Sequence, residues 1–192
     1  MHPAPAFFRL HRPPFKAGGW PGLRLLLALA CLCLAPAPGG AAQTGRGEET
    51  GRGEETGRAI PRFVSLAAPE VNLRTGPGEQ YPVTWQFVRR GLPVEVVAEY
   101  ELWRRIRAGD GTVGWVHQSL LSGRRTAISQ GQIRALLADH DAAAPVVLRA
   151  EAGVLGRLLK CRLVWCEMEI AGRRGWLLRD QIWGVYPGED ID

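Results

Sequence analysis

The sequence has few of the side chains that metal binding and nucleophilic catalysis require. Four cysteines and four histidines occur among 192 residues, and two of each precede residue 43. The rest of the chain keeps only Cys161, Cys166, His117 and His140. A structural zinc site needs four nitrogen or sulfur ligands, usually as two closely spaced pairs, and no second cysteine pair is present. We therefore predict that the protein binds no metal and no cofactor.

The sequence also lacks the motifs of an enzyme. Gly76-Pro77-Gly78 is not followed by Gly-Lys-Ser or Gly-Lys-Thr, so it predicts a turn rather than a phosphate-binding loop. A cysteine peptidase needs a nucleophilic cysteine, a histidine and an orienting group within a catalytic domain. No stretch outside the predicted β-structure is long enough for such a domain. The sequence therefore predicts that the protein is not an enzyme.

An excess of positive charge is absent from the part of the chain that is predicted to fold. The formal net charge is +5, but residues 1–42 hold four of the 24 basic residues and no acidic one, which leaves 20 basic against 19 acidic side chains. Phosphate binding requires an excess of lysine and arginine on the folded surface. The composition therefore argues against nucleic acid as a partner.

The apolar run of residues 23–35 is shorter than the about 20 residues that a transmembrane helix needs. It follows a basic start and precedes small residues at Gly40 and Ala42, which is the pattern of a secretory signal peptide. We expect residues 1–42 to be a signal peptide and the protein to be secreted or periplasmic, with no membrane span after cleavage. A retained anchor and a lipid on Cys31 or Cys33 are the alternatives.

Residues 45–58 repeat a six-residue unit, GRGEET, twice and begin it a third time. The unit is rich in glycine, alternates in charge sign and has no apolar side chain to bury, so it is typical of a solvated tether. We expect residues 43–59 to be a flexible linker.

The rest of the chain is predicted to form short strands. No stretch of residues 60–125 has apolar residues at helical spacing over three turns, whereas FVSLAA, VNLR and PVEVVAEY alternate with turns rich in glycine and proline. Several such strands within about 60 residues predict a small β-barrel. After residue 60 a Gly-Trp pair occurs twice, at 114–115 and 175–176, each after an upstream tryptophan, and this favours two barrels.

The stretch VNLRTGPGEQYPV, followed by GLPVEVVAEYELWRRIR and GTVGWVHQSLL, resembles the bacterial SH3-like (SH3b) domain of exported proteins. An Asn-Leu-Arg-x-Gly-Pro motif, a tryptophan that begins a strand and a late Gly-Trp-Val occur in the order typical of that family. The resemblance implies an all-β fold of two SH3-like barrels in tandem. We assign the first barrel to residues 60–124, a connecting segment to 125–143 and the second barrel to 144–188.

The second barrel is predicted to be shortened. VVLRAEAG at 146–153 is similar to VNLRTGPG at 71–78, yet Arg149 precedes Trp165 by only 16 residues, whereas Arg74 precedes Trp103 by 29. We therefore expect this copy to lack most of one long loop and part of a strand. The preceding GQIRALLA is interpreted as a linker, with a short helix or a strand as alternatives, and His140 is expected to be solvated.

Strand alternation places Trp103 on the polar side of its strand with two arginines, and Trp165 on the polar side of its strand with two glutamates. In the SH3 family at large, the tryptophan at the position of Trp103 lines a ligand groove, so the resemblance implies binding there. An aromatic platform suits extended or proline-containing peptides, and the alternative is a ring that caps the barrel. The candidate ligand-binding residues are Trp103, Tyr81, Trp85, Trp115, His117 and Trp165.

Three further residues, Trp176, Arg74 and Arg149, are assigned structural roles, and Trp115 is assigned one beside its candidacy for ligand binding. Trp115 and Trp176 each follow a glycine that lets a neighbouring strand approach closely, so each ring is expected mainly to close its barrel. Arg74 and Arg149 are expected to hydrogen-bond backbone carbonyls and fix a loop, with capture of a ligand carboxylate as the alternative. For Trp85, a core position is the alternative to ligand binding.

Cys161 and Cys166 flank RLVW, the expected tip of a hairpin, so the two thiols would face each other across the strands. In an oxidising, exported compartment this arrangement predicts a disulfide, with free buried thiols as the alternative. A loop this small gains about 2 kcal/mol from such a bond on the chain-entropy estimate.

These features predict a noncatalytic exported protein that recognises cell-wall peptidoglycan or a peptide through its barrels. The alternatives are an envelope adaptor that binds a protein partner and an accessory protein to a wall hydrolase.

Overall fold

The computed structural model describes residues 51–192, which form strands joined by turns, with short 3-10 turns at Gln118–Leu120 and Arg179–Gln181. The predicted all-β fold of two barrels in tandem is confirmed. The expected signal peptide, residues 1–42, lies outside the described residues, as do residues 43–50 of the expected linker. Within the described part of the chain, no helix is long and apolar enough to cross a membrane.

The first two strands, β1 (Gly51–Arg52) and β2 (Ala59–Ile60), form a short antiparallel hairpin. Between them, Thr56 donates from its backbone N–H and its hydroxyl to the two carboxylate oxygens of Glu99, at 2.9 and 2.8 Å. The prediction of a flexible linker up to residue 59 is therefore wrong from Gly51 onward. The repeat has no apolar side chain, but its threonine satisfies a carboxylate that the first barrel buries.

The Glu99 carboxylate stays ionised although its side chain has no solvent exposure. Burial alone would raise its pKa, but hydrogen bonds from Thr56 and Arg62 and the positive charge of Arg62 outweigh burial and hold the pKa below its ordinary value. Arg104 places a second guanidinium nearby, with Nε 3.6 Å from the carboxylate. The hairpin is thus anchored by a buried charged cluster.

The first barrel is one antiparallel sheet of seven strands, in the order β5-β4-β8-β7-β6-β3-β9. The strands are β3 (Arg62–Leu66), β4 (Val71–Arg74), β5 (Val83–Phe87), β6 (Pro93–Tyr100), β7 (Trp103–Arg107), β8 (Val113–His117) and β9 (Leu121–Ser122). Alternate residues point to one side and form the core, because successive side chains of a strand face opposite ways. The core consists of Leu66, Val71, Leu73, Phe87, Val94, Val96, Ile106, Ala108 and Val116.

The second barrel repeats this arrangement strand for strand, in the order β12-β11-β15-β14-β13-β10-β16. The strands are β10 (Thr126–Ser129), β11 (Arg134–Leu137), β12 (Val146–Ala150), β13 (Leu155–Arg162), β14 (Trp165–Ile170), β15 (Arg173–Leu178) and β16 (Ile182–Trp183). Its core consists of Ala127, Leu136, Ala150, Leu158, Cys161, Cys166, Met168, Ile170, Leu177, Ile182 and Val185.

The second barrel is complete, so the prediction of a shortened copy is wrong. β10 and β11 lie in the segment 125–143 that was expected to be a connection. The similarity of VVLRAEAG to VNLRTGPG matches β12 to β4, which is one strand too far along the chain. In the structure, β11 is the counterpart of β4, and β12 is the counterpart of β5. The pairing shows this directly: Arg74 of β4 lies opposite Trp115, and Leu137 of β11 lies opposite Trp176. Leu137, not Arg149, therefore occupies the place of Arg74.

Aromatic and charged side chains join the two barrels. The ring of Phe63 on β3 lies 5.0 Å from that of Trp183, edge to face, and 4.6 Å from that of Tyr186. The Tyr186 hydroxyl donates to Glu95 at 2.6 Å, and the other oxygen of Glu95 accepts from Nε of Arg107 at 2.7 Å. No sequence pattern predicts a role for Trp183 or Tyr186. The only available signal was the aromatic content of QIWGVYPG beyond the last turn.

Candidate functional site

The outer side of β7 and β8 in the first barrel carries the two tryptophans of that copy. On β7, Ile106 is fully buried, while Trp103 is half-buried and Arg105 is exposed on the opposite side of the strand. On β8, Trp115 and His117 are half-buried and alternate with buried residues. Both tryptophans therefore lie on the polar side of the sheet and outside the core, as strand alternation requires.

Trp103 lies in a row of polar aromatic residues that crosses three strands. It is directly opposite His117 on one side and Tyr100 on the other. The rings of Trp103 and His117 meet edge to face, with their centroids 5.5 Å apart, which is a favoured arrangement for aromatic groups. Tyr100 is about half exposed, at 51%. This row offers an aromatic surface on which a flat or extended ligand can pack.

Trp115 lies between two arginines, because Arg105 is opposite it on β7 and Arg74 is opposite it on β4. An open groove of about 410 Å³ runs beside this ring. It is lined by Thr75, Thr84, Arg105, Val113, Gly114 and Trp115. The groove thus combines one aromatic wall with hydroxyl groups and one guanidinium.

The glycine before each second tryptophan allows two strands to approach closely. A Cβ atom on Gly114 would lie 2.9 Å from the carbonyl oxygen of Arg74, and one on Gly175 would lie 3.0 Å from that of Leu137. Either distance is shorter than real Cβ contacts tolerate without movement. The close approach expected from the two Gly-Trp pairs is therefore present in both barrels.

Arg74 fixes the loop that borders the groove. Its Nη1 donates to the carbonyl oxygens of Glu79 and Tyr81, at 2.9 and 2.8 Å. The ring of Tyr81 lies against Gly76, where an added Cβ would be only 2.5 Å from the ring. Tyr81 itself is 38% exposed, so it lies at the edge of the site.

Trp85 lies apart from this surface. It packs against the core of the first barrel and is directly opposite the buried Leu73. Thr84, the preceding residue, lines the groove because its side chain faces the other way. Trp85 is thus a core aromatic, which was the alternative to its candidacy, and it does not belong to the candidate site.

The second barrel presents an equivalent aromatic pair. Trp165 and Trp176 are both half-buried on the outer side of β14 and β15. Trp165 lies opposite Leu178, and Trp176 lies opposite Glu167. The exposed ring of His140 is 5.3 Å from that of Trp176, so this histidine contacts the face in addition to solvent. Arg149 is an exposed residue of β12 and lies opposite Ala135. It is therefore not paired with Trp165 or Trp176.

The predicted disulfide is confirmed. Cys161 and Cys166 lie directly opposite each other on β13 and β14, with their sulfur atoms 2.04 Å apart. Both are fully buried in the core of the second barrel. Next to them, Leu163 and Val164 form an exposed hairpin tip, 84% and 59% accessible to solvent.

The chemistry available at these faces is that of recognition. Trp103, Trp115 and His117 supply aromatic surface, and Arg105 supplies a charged donor. Among residues 51–192, no group of three or more histidine, cysteine, aspartate or glutamate side chains is placed to hold a metal ion.

A family model described as the bacterial SH3 domain matches residues 67–123 and 131–184, which together make up more than half of the chain. The second match begins before β11, in agreement with the complete second barrel. No curated protein matches the chain.

Among the solved structures that resemble the chain are three NlpC or NlpC/P60 proteins. They are NlpC2 and NlpC1 from Trichomonas vaginalis, at 12% and 10% identity with TM-scores of 0.31 and 0.32, and an NlpC/P60 family protein from Bacillus cereus ATCC 10987, at 12% identity with a TM-score of 0.30. The matches cover 65%, 68% and 68% of this chain and 48%, 48% and 58% of the other chains. The chain thus spans about half the length of these proteins, and scores this low carry no information on its activity.

Proposed function

Since this chain belongs to the bacterial SH3 domain family, we propose that it is a noncatalytic, exported binding protein of the cell envelope. Its ligand is the peptide part of peptidoglycan or a related peptide. The principal binding surface is the outer side of β7 and β8 in the first barrel, where Trp103, Trp115 and His117 lie together. Family membership supports the wall-associated role, and the pattern of residues 1–42 supports export.

One observation carries the proposal: two half-buried tryptophans, Trp103 and Trp115, lie outside the core, and Trp115 borders an open groove. Large aromatic rings that serve packing alone are usually covered, because burying them is worth a few kcal/mol. Half-exposed indoles next to polar donors instead favour ligands with flat or extended backbones. Such ligands lose little conformational entropy on binding, so a small surface is sufficient.

The disulfide supports a noncatalytic function. Both cysteine sulfur atoms of the described residues are held in the Cys161–Cys166 bond, inside the core of the second barrel. A thiolate nucleophile needs a free, accessible sulfur with a base nearby. Cys161 and Cys166 therefore serve to fix the hairpin β13–β14.

Tryptophan fluorescence tests the proposal directly. Titration of the purified protein with soluble wall fragments and with short peptides is expected to change the emission, and Trp103→Ala is expected to weaken binding by about tenfold, the effect of losing one central aromatic contact. Val88→Ala, at an exposed position outside the site, is the matched control and should bind like the wild type. Equal affinities for Trp103→Ala and the wild type would remove this surface from the binding site.

A second candidate function is that of an envelope adaptor for a protein partner. The observation that favours it is the hairpin tip, where Leu163 and Val164 are exposed beside the disulfide and where Arg179 holds the Leu163 carbonyl oxygen at 2.9 Å. A rigid apolar tip is suited to insertion into a partner's pocket. Recovery of one stoichiometric envelope protein, lost on Leu163→Ser, would favour this function. Sedimentation with isolated wall material, retained by that variant, would favour the first.

A further inference from the structure

We propose that the two barrels bind ligand groups of opposite charge: the first barrel takes a carboxylate and the second takes an ammonium or guanidinium group. The inference rests on the proposed function, because it assigns a charge preference to each tryptophan-bearing face. The ligand class that satisfies both faces is a peptide with a free carboxylate and a free amine.

The two barrels are equivalent strand for strand. Arg105 lies opposite Trp115 in the first barrel, and Glu167 lies opposite Trp176 in the second. Each of these charged residues comes two positions after the first tryptophan of its pair, so each occupies the same place on an equivalent face. The aromatic pair is retained, whereas the charge beside it is inverted.

The inversion extends along the same strands. Arg107 on β7 lies opposite Glu95, and its equivalent on β14, Glu169, lies opposite Arg157. Those residues are engaged within the protein, since Arg107 contacts Glu95 at 2.6 Å and Glu169 contacts Arg174 at 3.1 Å. The second charged position of each strand is therefore occupied by internal ion pairs.

The first charged position differs in this respect. Within residues 51–192, neither Arg105 nor Glu167 forms an ion pair or a side-chain hydrogen bond. Lys160 lies opposite Glu167 across β13, yet no ion pair joins them. Arg105 is exposed and lines the groove beside Trp115. Each face thus presents, next to an aromatic pair, a charged side chain that has no ion pair or hydrogen bond within the described residues.

Each combination recognises a different chemical group. A guanidinium binds a carboxylate through two parallel hydrogen bonds, while the neighbouring indole packs against the apolar part of the ligand. A carboxylate beside indole faces binds an ammonium or guanidinium group, because the electron-rich faces of the rings attract the same cation. Other ionisable groups near the faces are Arg74, opposite Trp115, and Lys160, opposite Glu167. His117 contacts Trp103, and His140 contacts Trp176.

The test uses three versions of one short peptide and two charge inversions in the full chain. The peptides are N-acetylated with a free carboxylate, C-amidated with a free amine, or blocked at both ends. Arg105→Glu is expected to weaken binding of the carboxylate peptide by about tenfold and to leave the amine peptide unchanged, whereas Glu167→Arg should do the reverse, consistent with the loss of one charge-assisted contact. The blocked peptide should bind weakly to all variants. Arg90→Glu, which changes net charge at an exposed position away from both faces, should have no effect on any peptide.

The outcomes separate this inference from the proposed function. If wall fragments bind the wild type but each charge inversion affects the two charged peptides equally, the charge division is overturned and the proposed function is not. Failure of every peptide and of wall fragments to bind would remove the proposed function with it. Two conservative variants control for misfolding. Arg105→Lys is expected to keep part of the carboxylate binding, and Glu167→Gln is expected to fold and to lose amine binding.

Discussion

At the scale of single residues, the Gly-Trp pairs couple packing to recognition. The glycine brings β4 close to β8, and β11 close to β15, because no Cβ stands between the strands. The following tryptophan then points to the opposite side, away from the core. Two adjacent residues thus complete the sheet and place an indole on its outer face. This explains why the same pair occurs in both copies.

Gly114→Ala tests that explanation. The new Cβ would lie 2.5 Å from Cγ of Leu73 and 2.9 Å from the carbonyl oxygen of Arg74, so β4 and β8 must move apart. We expect a loss of about 2 kcal/mol in the free energy of unfolding, as is typical of overpacking in a well-packed interior. Urea denaturation measures it. Gly123→Ala is the control, because nothing lies within 4 Å of its added Cβ, and a similar loss in both variants would contradict the close-approach argument.

At the scale of elements, the sequence predicts the first barrel better than the second. The strand β4, VNLR, alternates buried Val71 and Leu73 with polar residues, which is the expected strand pattern. Its counterpart β11, RALL, has no such alternation and no β-branched residue, so it is equally compatible with a helix or a linker. VVLR of β12 looks more like VNLR than its true counterpart does, and this local similarity shifted the predicted register by one strand.

In the candidate site, local sequence patterns also predict some features, whereas contacts between residues far apart in sequence are not predicted. Alternation along β7 correctly indicates that Trp103 is on the outer side. By contrast, the anchoring of Thr56 to Glu99 joins residues 43 positions apart, and the contact of Tyr186 with Glu95 joins residues 91 positions apart. No local pattern encodes such contacts, so the docked hairpin and the junction between the barrels required the structure.

The hairpin β1–β2 is expected to detach in acid. The pKa of Glu99 is lowered from its ordinary value of 4.5, so its ionised form stabilises the docked state above that value. This stabilisation is lost as the pH falls below 4.5 and through the lower pKa of the folded protein. Hydrogen exchange and the amide chemical shift of Thr56 measure docking, since this N–H donates to Glu99.

Glu99→Gln should release the hairpin at neutral pH and abolish the acid transition, because the amide cannot accept the same set of charged donors. Glu55→Gln, an exposed position in the same hairpin, is the matched control and should retain the transition. A protected Thr56 amide at neutral pH in Glu99→Gln would contradict the anchoring role of the carboxylate.

At the scale of the whole described molecule, the two barrels share a boundary with buried polar contacts. Burial first, and then the hydrogen bond and negative charge of Glu95, raise the pKa of Tyr186 far above its ordinary value. The hydroxyl therefore stays protonated and donates a hydrogen bond to Glu95, whose side chain is only 3% exposed. Thr126 also donates across this boundary, to the carbonyl oxygen of Gly91 at 2.7 Å. Separating the barrels would leave Glu95 without one of its two partners.

The two barrels are consequently expected to unfold together, and Trp183→Ala is expected to uncouple them. This change removes the ring that meets Phe63 edge to face and covers Gly109, at a cost of about 2 kcal/mol for a half-buried aromatic. Calorimetry should show one cooperative transition in the wild type, with equal calorimetric and van't Hoff enthalpies, and two transitions in the variant. Leu102→Ala, at an exposed position in the turn between β6 and β7, should keep a single transition. Two transitions already in the wild type would mean that the Phe63, Trp183 and Tyr186 contacts are too weak to couple the barrels, and the charged faces would then act as separate binding units.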